Sequence, residues 1–221
     1  MKLHTSTWRS LSPLLLVFCI TAGLKSCNSD DISSDGFDPI TESLLYGSIS
    51  PEAAANYFEI RLGFCPGDEE YSILHSQGTA CEEVSDPETC EANLEGQGPD
   101  GFGYNLGCLP GCCTTYIITE NQGEFASYDS REELLTFLGR IDSRSDALLW
   151  VQSDQYYFPY DDVDAAGIRD MPDGSYRIIA LQTVAFCAPI ITEQVLLEVS
   201  PDGSIRELER REYSRLENAC V

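Results

Sequence analysis

Cysteine is the residue type with the most chemistry to offer in this chain. Beyond position 27 stand Cys65, Cys81, Cys90, Cys108, Cys112, Cys113, Cys187 and Cys220. Thiols can bridge, ligate a metal or attack a substrate, and spacing discriminates among these. A thiolate zinc site needs close C-x2-C pairs, or cysteine near histidine. The intervals from Cys65 to Cys113 are 16, 9, 18, 4 and 1 residues, which supply neither. A nucleophilic thiol needs a base beside it, and only His75 offers an imidazole beyond position 27. An even, irregularly spaced set reads instead as a framework of disulfides. Eight cysteines admit about a hundred pairings, and spacing does not select one. Neighbouring Cys112 and Cys113 should take different partners, because bridging adjacent residues strains the peptide between them. Cys187 and Cys220 lie outside the dense cluster and are expected to bond, pinning the C-terminal tail to a strand.

The rest of the inventory excludes more than it offers. No lysine follows Lys25, so Schiff-base chemistry, a Ser–Lys dyad and a phosphate-binding P-loop have no carrier. One histidine cannot build an H-E-x-x-H zinc site. No G-x-S-x-G places a serine on a nucleophile elbow, and Ser76 beside His75 is a dipeptide rather than a catalytic geometry. His75 reads as a surface or hydrogen-bonded structural residue. Gly101-x-Gly103 with Gly107 lacks the βαβ context of a dinucleotide loop. The expectation is therefore no catalytic residue, no resident metal and no enzyme activity. Paired carboxylates suffice for glycoside hydrolysis, but 37 acids nominate no pair. The most suggestive stretch holds Trp150, Tyr156, Tyr157, Tyr160, Asp161, Asp162 and Asp164. Aromatic faces stack on sugars and adjacent carboxylates take hydroxyls or Ca²⁺, so a glycan or weak Ca²⁺ site is one reading. The other is that the aromatics pack a core and the aspartates begin a solvated loop.

These residues follow an address. Lys2, His4 and Arg9 form a basic start, and Leu11 to Leu24 an apolar run of about 14 residues, short of the ~20 that span a bilayer. This is the pattern of a signal peptide. Leu24-Lys25-Ser26-Cys27 resembles the lipobox of bacterial lipoproteins, with Lys25 where a small or β-branched residue is usual. The resemblance implies cleavage before Cys27 and a diacylglyceryl group on its thiol. Cleavage would also remove Cys19, and lipidation of Cys27 leaves eight pairable cysteines with none stranded. Ser29-Asp30-Asp31 just beyond resembles the surface-export signal of some bacterial lipoproteins. The implied location is the bacterial cell envelope, at the outer membrane or cell surface in preference to the inner membrane.

Charge narrows the partners. The 221 residues carry a formal −24, but both lysines and Arg9 precede Cys27, leaving ten arginines against 37 acids, a balance of −27. Such a field repels phosphate backbones and anionic lipid, so no nucleic acid is expected and the membrane is met through the lipid alone. The acids run from Asp30 to Glu217 without a block, which favours a global cause such as a salty medium over one basic-partner site.

The elements that must position these residues are readable in part. Phe58, Ile60, Leu62 and Phe64 alternate, which predicts a strand with one buried side. Pro51 followed by Glu52-Ala53-Ala54-Ala55 predicts a short helix before it. Thr114–Thr119 and Glu124–Tyr128 flank a turn and predict a hairpin. Ser130 with Glu133, and Ser143 with Asp146, predict two capped helices, the first closed by Gly139. Residues 175–187, 190–200 and 204–213 read as strands. Ile205 and Leu208 fit no single face there, as at a bulge or a lone edge. The fold class is α+β, an antiparallel sheet with two short helices. The organisation is a signal peptide (1–26), a lipidated acidic tether (27–40) and one disulfide-rich domain (41–221), loop-rich at 41–113 and regular at 114–221. Function is expected to be that of a binding or structural module of the envelope. A glycan-directed protein using 150–164, or an accessory subunit docking through a sheet edge, are the alternatives.

Overall fold

A computed structural model describes residues 32–53, 55–63, 71–101, 103–104 and 114–220. The leader, Cys27, Cys65, Cys108, Cys112 and Cys113 lie outside the described residues. In chain order the elements are β1 (Asp38–Pro39), α1 (Glu42–Tyr46), β2 (Tyr57–Gly63), β3 (Ser72–Gly78), α2 (Pro87–Glu95), β4 (Thr114–Asn121) and β5 (Glu124–Tyr128). They continue with α3 (Arg131–Leu138), α4 (Arg144–Gln152), β6 (Gly167–Asp170), β7 (Tyr176–Phe186), β8 (Ile190–Val199) and β9 (Ile205–Leu216). All strand pairing is antiparallel, and the class is α+β. Among the described residues the strands make two sheets where one was expected, ordered β3-β2-β4-β5 and β1-β6-β7-β8-β9.

Local chemistry explains the regular elements. Ser130 and Glu133 cap α3 reciprocally, and Ser143 and Asp146 do the same for α4. Gly139 adopts φ 65° and its N–H donates to the Leu135 carbonyl, closing α3. Gln122 and Gly123, both at positive φ, make the two-residue turn joining β4 and β5. Pairing of β8 with β9 slips at Leu208 and again at Tyr213, the bulges that break its alternation. Strand β9 carries seven charged residues, several in ion pairs such as Arg210 with Glu193 and Arg206 with Glu198. A charged, bulged strand is a protected sheet edge.

One core joins both sheets and both capped helices. Phe58, Ile60 and Ile117 meet Leu134, Phe137, Leu148, Ile178, Val195 and Leu197 there. The Cys187–Cys220 disulfide forms and holds the C-terminal tail against the end of β7, as expected. Cys81 bonds Cys90, fastening the loop before α2 to the helix itself.

Several expectations need correction. Residues 32–40 are not tether: Ile32 and Ile40 are buried and β1 pairs with β6. The region 41–113, expected to be loop-rich, contributes α1, β2, β3 and α2, so four helices stand among the described residues. Strand β3 escaped notice because a bulge at Leu74 interrupts it and none of its residues alternates in polarity. Helix α2 has an Asp86 cap and a leading Pro87 but buries only Cys90 and Leu94, too little to print a period. No helix forms at Glu52 and Ala53, whose N–H groups donate to the Phe137 carbonyl in the last turn of α3. Strand β2 is buried on both faces, not one. On its second face Glu59 and Arg61 lie under α2, with Arg61 fully buried.

Candidate functional site

The aromatic and acidic stretch is divided between the core and the surface. Trp150 and Tyr156 are buried in the main core. The Trp150 indole N–H donates to the Gly203 carbonyl at 2.7 Å. Tyr157 exchanges backbone hydrogen bonds with Leu181, continuing the sheet past the end of β6. Tyr160 stands exposed. Two of the carboxylates bond within the chain, Asp164 accepting from the Ser34 hydroxyl and Asp162 from the Ala165 N–H, while Asp161 is held through its backbone N–H, which donates to the Ile40 carbonyl. Among the described residues no cluster of three metal-ligating side chains occurs. The burial of Trp150 has a simple cause. Helix α4 is buried from Ser145 to Gln152, which takes Trp150 inside with it.

A different place on the surface is concave. A shallow cleft of about 420 Å³ opens between α1 and β3, lined by Glu42, Ser43, Tyr46, Gly47, Leu74 and His75. Thr41 caps α1 by accepting from the Leu44 N–H, and Leu45 is the buried residue that seats this short helix. The Ser145 hydroxyl on α4 donates to the Leu44 carbonyl at 2.7 Å, fixing α1 from behind. Tyr46 then stacks on His75, ring centres 5.6 Å apart and planes 13° from parallel. Phe58 closes the other side of the imidazole at 6.0 Å.

The electrostatics follow from that packing. His75 Nε2 is sealed from solvent and has no hydrogen-bond partner among the described residues. Burial holds the imidazole below its ordinary pKa, so it is neutral. Burial, then Tyr160 and Glu42, push the Tyr46 hydroxyl up. Burial and Glu42 do the same for Tyr160. The cleft therefore offers one carboxylate, hydroxyls and an apolar lip at Leu74, with no cation among its lining residues. It can receive a cationic or hydrogen-bond-donating group. These groups offer recognition chemistry. In the sequence His75 reads as a surface or hydrogen-bonded structural residue; in the fold its ring packs against Tyr46 and Phe58 and it lines the cleft. The sequence showed no sign of Glu42, Ser43, Tyr46 or Leu74 as neighbours. The Thr41 cap before Glu42-Ser43-Leu44-Leu45 was the available signal for α1.

A pH test follows. Because the folded state holds His75 below its ordinary 6.5, the unfolded chain binds more protons between those two values. Stability from this group is complete above about pH 6.5 and declines as pH falls toward the lowered value. The stability advantage of the wild type over His75→Gln should shrink between about pH 7.5 and about pH 5. Urea midpoints for the two proteins check this. A constant gap would mean that His75 titrates normally in the fold.

Comparison with protein-family models, with curated proteins and with solved structures finds no match to this chain.

Proposed function

We propose that this chain is an exported, lipid-anchored envelope protein, braced by disulfides, that works as a binding module. The observation carrying the reading is covalent. Cys81–Cys90 and Cys187–Cys220 bond in the fold, and such structural bridges persist where thiols are not kept reduced. The basic and apolar leader, ending in a lipobox-like Leu24 to Cys27, supplies the route to that compartment and the thiol for an anchor. An anchor on Cys27 would leave only a few residues before Ile32 enters the core, holding the domain close to its membrane. A surface as acidic as this one would keep the domain off anionic headgroups. The α1–β3 cleft supports a role in recognition.

Metabolic labelling with a radioactive fatty acid tests the anchor. Wild-type protein is expected to take label and to sediment with membranes, while Cys27→Ser takes none and leaves the membrane fraction. Label retained by Cys27→Ser, or wild type recovered free of membrane, would defeat the reading.

A further inference from the structure

The two sheets treat their exposed edges in opposite ways. Strand β9 is armoured with arginine and glutamate. Strand β3 (Ser-Ile-Leu-His-Ser-Gln-Gly) has no carboxylate, arginine or lysine, although it is an edge of its sheet among the described residues. On it Ile73 is 51 % and Leu74 37 % exposed. A chain with 37 acids has had ample means to protect this edge. An uncharged, apolar edge is a template for pairing with another strand.

The cleft adjoins that edge. The pairing of β3 with β2 slips between Ile60 and Arg61, so Leu74 is the extra residue of a bulge, and it lines the cleft with His75. Glu42 and Ser43 face it from α1. A strand laid beside β3 would run about 4.8 Å from it, with alternate side chains on the cleft side. We infer that β3 is a docking edge for an extended, basic segment of a partner polypeptide, which adds a strand to the sheet and places a lysine or arginine beside Glu42.

Charge selects this occupant. The cleft has a carboxylate and no cation, and the domain around it carries −27, so a cationic segment is drawn in. A second copy of this chain would bring the same excess of negative charge to an edge that has nothing to offset it. The inference deepens the binding-module reading. Its test does not depend on the lipid, so failure of the anchor and failure of the edge are separately visible.

The test uses the purified protein with its disulfides intact and three peptides of eight residues. The first alternates valine with lysine and arginine, the second replaces the cations with glutamate, and the third is the first with alternate amides N-methylated. The basic peptide is expected to bind at least tenfold more tightly than either control, shifting the amide resonances of 72–78 and 42–47. Ile73→Lys should abolish binding by placing a charge on the exposed lip without touching the core. Glu42→Gln should weaken it about threefold, as loss of one exposed ion pair does. Equal binding of the N-methylated peptide would show charge attraction without strand addition and overturn the inference. So would shifts scattered over the acidic surface, an indifferent Ile73→Lys, or no binding of the basic peptide. Amide shifts in β3 that depend on protein concentration alone would show that the edge serves a second copy instead.

Discussion

Replacing Arg61 with alanine is expected to cost about 3–5 kcal/mol of folding stability, a large share of what a domain of this size has. Arg61 is fully buried on the face of β2 that looks toward α2. Its guanidinium is shared among Glu59, the Leu94 carbonyl at 2.8 Å and the Gln97 carbonyl. The first of those carbonyls belongs to the last turn of α2, where it also accepts from the Gln97 N–H at 3.0 Å, and the second lies just past it. The Tyr71 ring covers the guanidinium at 3.8 Å. Glu59 also accepts from the Tyr57 hydroxyl at 2.7 Å, and burial with that bond pushes the phenol up to about 12. Removing Arg61 alone leaves Glu59 as a buried carboxylate with one neutral donor, takes the guanidinium from the Gln97 carbonyl and leaves the Leu94 carbonyl with only its backbone donors. Both losses act in the same place, and α2 should loosen first. Replacing the pair together, Glu59→Leu with Arg61→Met, removes the stranded charge as well as its partner and should recover much of the loss. Urea unfolding of the three variants checks this. A single variant within about 1 kcal/mol of wild type would mean that water reaches the site and replaces the guanidinium.

That pair also shows where sequence reading stops. Phe58 and Ile60 declared their side of β2 by alternating with Glu59 and Arg61, and alternation ordinarily means that the charged side is wet. What covers it is α2, thirty residues later, joined through a loop whose cysteine bonds back to the helix. No local pattern carries that contact. Caps were legible because both partners lie three residues apart: Ser130 with Glu133, Ser143 with Asp146. The long strands β7 and β8 were legible because they are rich in β-branched residues over ten positions or more. The Cys187–Cys220 bond was legible by position, each being far from the remaining cysteines. Strand β3 was not, because a bulge and a neutral composition erase the period. The cleft was invisible for the same reason twice over, since it needs β3 and also α1, and both fall in the region expected to be loop-rich. His75 could be singled out by scarcity, but Tyr46 stacking on it depends on how α4 seats α1.

Trp150→Ala is expected to destabilise by about 3–5 kcal/mol, the cost of emptying a large aromatic site in a packed core. The same substitution would be nearly neutral if Trp150 lined a sugar-binding groove. The indole is 6 % exposed, packed in the core shared by both sheets. Its N–H donates to Gly203 in the turn between β8 and β9, so it fastens α4 to a hairpin of the larger sheet. Gly203 sits at φ 83°, with Leu135 of α3 against it where a side chain would begin, so the turn has no slack to follow a shrunken residue. On the solvent side the Arg131 guanidinium lies over the ring at 4.2 Å, held by Asp154 and by the Ser153 hydroxyl. Ser153 in turn donates to the Trp150 carbonyl at 2.7 Å. Loss of the indole therefore creates a cavity, orphans the Gly203 carbonyl and frees a lid residue from its platform. Trp150→Phe separates these effects. It keeps most of the apolar volume and the stacking surface but leaves Gly203 without its donor, and should cost about 1–2 kcal/mol. Tyr160→Ala, at an exposed position in the same stretch, should change stability by about 0.5 kcal/mol or less. Thermal melts ranked in that order would assign the aromatic stretch to packing. If Trp150→Ala melted with wild type, the indole would be idle in the core and free for a ligand.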